Sequence, residues 1–104
     1  MAWVYLLFAG LLEIVWAAAM KQSDGFTRLT PSIVTITAMF ASFALLAIAM
    51  RSLPLGTAYM VWMGIGAVGA FMVGVFFLGE ALSPMRTVAA ALILSGIVAM
   101  KVAQ

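Results

Sequence analysis

The chain has 104 residues, 67% of them hydrophobic and 8% charged, with a net charge of +2. A soluble domain is about 25% charged, and one this small buries only about two-thirds of its chain's surface, so the composition excludes an ordinary water-soluble fold and names lipid as the solvent. With neither Cys nor His, disulfides, thiolate chemistry and metal sites built on imidazole or thiolate are excluded, and the small charge without a basic stripe excludes nucleic-acid binding.

A bilayer-spanning helix needs about 20 mostly apolar residues. The first such run covers roughly residues 3–20. It is a poor signal peptide, because Met1-Ala2-Trp3 carries no Lys or Arg and the run holds Glu13 in its middle. Lys21-Gln22-Ser23-Asp24-Gly25 ends it with a cation and a turn glycine. The second run covers roughly residues 32–50. Thr30-Pro31 before it offers a capping hydroxyl and a proline at the first helical position. Arg51-Ser52-Leu53-Pro54 leads to the third, roughly residues 57–78, and Ser83-Pro84 repeats the capping pattern ahead of the fourth, roughly residues 87–102. The expected fold is therefore all-α, with four transmembrane helices and residues 1–104 forming one membrane domain.

Four crossings sort the five basic residues into Lys21, Arg28 and Arg86 on one side and Arg51 and Lys101 on the other. The positive-inside rule orients a chain by such a difference, and one residue is almost none. Two readings follow: a weakly biased single orientation, or insertion both ways with antiparallel pairing. Gly66, Ala70 and Gly74, then Ala91, Ser95 and Ala99, lie at four-residue spacing that lets helices approach closely in lipid. They are the packing signals expected for such a pair.

Glu13 falls about ten residues from each end of its helix, which at 1.5 Å per residue is roughly 15 Å from either surface of a roughly 30 Å core. A carboxyl group at that depth is expensive and marks an ion or proton pathway; the plain alternative is a protonated bridge between helices. Two such groups facing across a dimer axis would titrate as a coupled pair. Trp16 lies one turn from Glu13 and projects to a similar side, while Gly10, one turn the other way, leaves space beside the carboxyl group. Ser42 is a hydroxyl deep in the second helix, and Tyr59 and Trp62 share a face of the third. These side chains can hydrogen-bond a carboxylate, and the rings attract a cation over their faces. An interfacial belt or plain packing remains open for the aromatics, as does ordinary helix packing for Ser42. Gly64, Gly66 and Gly69 mark either a kink that serves as a gate or close packing. Apart from Glu13, no acid, His or Cys lies at membrane depth, so no general acid–base pair or nucleophilic triad can be assembled and the chain is not expected to be an enzyme.

Ala9-Gly10-Leu11-Leu12-Glu13-Ile14-Val15-Trp16, Ser23-Asp24-Gly25-Phe26-Thr27-Arg28 and Pro54-Leu55-Gly56-Thr57-Ala58-Tyr59 closely resemble the small multidrug resistance family, over the whole chain. Trp16, Ser42 and Lys101 resemble its guanidinium-exporting subtype. The resemblance implies a dual-topology antiparallel homodimer in the bacterial inner membrane, exchanging guanidinium-type cations for protons. It implies Glu13 as the shared proton and substrate ligand, with Trp16, Ser42, Tyr59 and Trp62 around it. The chain departs from the subtype's pattern at Met60, where a small residue is usual, and at Met63, where Thr is usual. With Met39 these flexible thioethers bear on which substituents are tolerated. The competing functions are a broad exporter of quaternary ammonium compounds and a small structural subunit of a membrane complex. No cofactor is expected.

Overall fold

The computed structural model describes residues 1–103. It contains four helices, α1 (Ala2–Gln22), α2 (Leu29–Ala49), α3 (Leu55–Phe77) and α4 (Pro84–Ala103), each long and apolar enough to cross a membrane. The chain is a multi-pass membrane protein. Both ends of the second helix move relative to the sequence reading. It begins at Leu29 with Arg28 as its cap residue, so Thr30 is inside the first turn and is not the cap. Pro31 still costs nothing there, because the first turn's N–H groups have no intrahelical acceptors. At α4 the expectation holds: Ser83 Oγ accepts the Arg86 N–H at 3.1 Å, and Pro84 opens the helix.

The turn between α1 and α2 is tight. Asp24, Gly25 and Phe26 take φ values of 50°, 72° and 68°. Only the glycine adopts this left-handed conformation without cost. The buried Ser23 hydroxyl offsets part of it, donating to Met20 O at 2.6 Å and accepting the Phe26 N–H at 3.0 Å.

Helix α1 is the centre of the molecule, packed on α2 and α3, while α4 packs along α3 and reaches α1 through the Lys101–Trp3 contact. The resulting body is flat, 40 × 34 × 16 Å. A helix is about 10–12 Å across, so this slab is too thin to wrap protein around its own midplane on every side. The core is small: Leu6, Ala9, Leu46, Ala49, Ala58, Val61 and Trp62. Three of these seven residues are alanines, which let helices approach closely; lipid tails are as apolar as the interior, so close van der Waals approach is the main attraction between helices.

Glycine sets those approaches. A Cβ on Gly10 would lie 2.5 Å from Ile65 Cγ2, one on Gly64 2.8 Å from Ile97 Cδ1, and one on Gly69 would overlap Ile14. The space beside Gly10 is thus taken by Ile65 of α3, which corrects the expectation that Gly10 leaves room beside the carboxyl group. The Gly66–Ala70–Gly74 stripe is likewise engaged within the chain: Gly66 receives the Glu13 side chain and Gly74 the Glu80 carboxylate. Ala91, Ser95 and Ala99 remain exposed, and no residue of α4 is buried among the described residues.

Candidate functional site

Glu13 lies eleven residues from Ala2 and nine from Gln22 on α1, and only 8% of its surface is exposed. Its Oε1 lies over Gly66 of α3, where any side chain would overlap it. Neither Glu13 Oε1 nor Trp16 Nε1 has a hydrogen-bond partner among the described residues, although both atoms are buried. An unpaired buried polar atom costs roughly 1–3 kcal/mol, and more when charged. Two of them one turn apart on one helix form a defined polar spot at mid-membrane depth.

Around this spot three helices are tied together by one hydroxyl. Ser42 of α2, fully buried, donates to the Ala9 carbonyl of α1 at 2.7 Å and accepts the Trp62 indole N–H of α3 at 3.0 Å. The Ala9 carbonyl lies one turn before Glu13, so the bond fixes the second helix beside the acid. Trp62 is held as a buried wall, 5% exposed.

An aromatic row continues from that wall. Tyr59 and Trp62 rings lie 5.6 Å apart, Trp62 and Phe43 5.8 Å, and Phe43 and Trp16 6.5 Å edge to face. These separations suit favourable ring pairs. The row joins both ends of the predicted set, Trp16 and Tyr59, through Phe43, a residue the sequence reading passed over. The signal for it was weak: Phe43 is one apolar residue in an apolar run, one turn from Met39.

The other candidates are distributed more loosely. Met39 is half-buried on α2, whereas Met60 and Met63 are exposed on α3 beside Tyr59, itself 47% exposed. The helix α3 runs without interruption, and Gly64 and Gly66 face α4 and Glu13 respectively. Arg86, expected in a loop, lies in the first turn of α4, with Glu80 at 3.1 Å and the Phe71 ring 5.0 Å from its guanidinium carbon. Among the described residues no cluster of acids, His or Cys can hold a metal ion.

A buried acid in the middle of a four-helix membrane slab, flanked by aromatics and hydrogen-bonding groups, is the arrangement of a small cation-handling membrane protein. Residues 1–93 match the model of the Small Multidrug Resistance protein family, and the chain belongs to that family. It is 58% identical over 101 residues to proteins named guanidinium exporter from Escherichia coli (strain K12), Citrobacter freundii and Klebsiella oxytoca. The matches cover 97% of this chain and 96% of each relative.

Proposed function

We propose that the protein is a proton-coupled antiporter that exports guanidinium and small substituted guanidinium ions in exchange for protons, across the bacterial inner membrane. The observation that carries this is the Glu13 carboxyl group, buried at mid-membrane depth with one oxygen unpaired. Guanidinium is planar and presents N–H donors in a fork that matches a carboxylate. A carboxyl group that holds either a proton or that cation, never both, couples the two fluxes.

The working unit in this reading is an antiparallel homodimer. Its support is threefold: Lys and Arg differ by one between the two sides, α4 has no buried residue, and the slab is too thin to close the site. A second copy, inverted, brings a second Glu13 opposite the first and covers Tyr59, Met60 and Met63. Within this unit Ser42 and Trp62 position the carboxyl groups, Trp16 and Tyr59 offer donors to them, and Met39, Met60 and Met63 tune which substituents fit. Gly64 and Gly66 are the proposed bending point of α3 as access moves from one face to the other.

Exposed Met60 and Met63 favour a second reading, export of quaternary ammonium compounds, because thioethers repack around varied shapes. Purified protein in liposomes, driven by a pH gradient, separates the two. Guanidinium, methylguanidinium and ethylguanidinium are expected to exchange at similar rates, and a fully substituted guanidinium is not expected to exchange. Robust transport of a tetra-alkylammonium ion without guanidinium transport would move the protein to the second reading, and no exchange at all would favour a structural subunit.

A further inference from the structure

Away from Glu13, at the end of the slab where α1 begins and α4 ends, a groove of about 350 Å³ opens between α1, α3 and α4. Leu7, Val61, Ile65 and Ile97 line it, with Trp3 and Lys101 at the level of the helix ends. The lining spans five residues of α1, five of α3 and six of α4, so at 1.5 Å per residue the groove is about 6–8 Å long and runs along the helices. The Lys101 ammonium lies 4.8 Å over the Trp3 ring. A cation–π contact of this kind holds a charge through the ring face, and leaves the ammonium N–H groups free to donate.

The charge balance of this end is unusual. Its basic side chains are Arg51 and Lys101, and no Asp or Glu accompanies them: Glu13 is at mid-depth, and Asp24 and Glu80 lie with Lys21, Arg28 and Arg86 at the other end. Among the described residues Arg86 alone forms an ion pair. Lys101 is thus a fixed cation at the membrane interface, without a counter-ion among the described residues, at the mouth of an apolar slot that faces outward.

We propose that this groove is a binding site for an anionic phospholipid, with the upper acyl chain in the slot and the phosphate group on Lys101. Apolar lining, interfacial depth and uncompensated positive charge match the three parts of such a molecule. Trp3 acts here as the anchor that orients Lys101 toward the headgroup. The site stands apart from cation exchange, so its test does not depend on transport.

The test is native mass spectrometry of the purified protein titrated with phosphatidylglycerol and with phosphatidylcholine of the same chains. Wild-type protein is expected to retain phosphatidylglycerol in preference. Lys101→Gln should reduce that preference about fivefold, as expected for one interfacial Lys, whereas Lys101→Arg should preserve it and Lys21→Gln should leave it unchanged. Val98→Trp, at the groove's wall, should weaken retention of both lipids. Equal retention of the two lipids by the wild type, or equal effects of Lys21→Gln and Lys101→Gln, would overturn the proposal. So would a Val98→Trp variant that loses dimer while keeping its lipid, which would assign the groove to a second copy of the chain.

Discussion

Glu13→Gln keeps the shape and hydrogen-bonding capacity of the side chain but removes the proton. The account predicts a folded protein without gradient-driven uptake, measured in liposomes at matched protein content. Ser42→Ala acts differently. It removes the acceptor of the Trp62 N–H and the donor to Ala9 O together, so two buried polar groups lose their partner at a cost of about 1–3 kcal/mol. Thermal melting should fall accordingly, and Trp62 fluorescence should shift as its indole loosens. Glu13 was legible in the sequence because a carboxyl group at membrane depth has no surface reading. Tyr59 and Trp62 were legible because three-residue spacing places them on one face. Ser42 was ambiguous, since its two partners come from helices 20 and 33 residues away in sequence. Phe43 was invisible, because an apolar residue in an apolar segment carries no signal until its neighbours are known.

At the scale of the helices, hydrophobic runs between polar breaks gave all four elements, with ends shifted by a few residues. The ends were less legible because the helices continue into their polar flanks: α1 takes in Lys21 and Gln22, and α2 starts ahead of Pro31. Glycine roles were legible only in kind. Spacing identified small residues that allow close approach, but not which partner each would receive. Gly10 illustrates the point, since its neighbour is Ile65 of α3. Gly10→Ala is therefore expected to destabilise the protein by about 1–3 kcal/mol through overpacking, read as a lower melting temperature. The Glu80–Arg86 pair is 44% and 39% exposed at its two side chains, where such a contact is worth roughly 0–1 kcal/mol. Arg86→Gln should shift melting far less than Gly10→Ala does.

For the molecule as a whole, the flat shape and the near balance of Lys and Arg bear on assembly together. Adding two or three Lys residues to one side should drive nearly every chain into one orientation, because the existing bias is one residue. Cysteine-accessibility labelling reads the orientation. A chain so fixed should be inactive alone and regain exchange when mixed with an oppositely fixed partner, and full activity from one fixed orientation would refute the antiparallel dimer. The exchange itself should weaken as pH falls, because a protonated Glu13 has no charge to pair with the cation. The most direct measurement is proton release into weakly buffered solution when guanidinium is added to the detergent-solubilised protein. The account predicts release that disappears in Glu13→Gln and, at limiting guanidinium, fades both at high pH, where the carboxyl group has already lost its proton, and at low pH, where excess protons outcompete the cation. Guanidinium binding without proton release, or release that persists in Glu13→Gln, would contradict it.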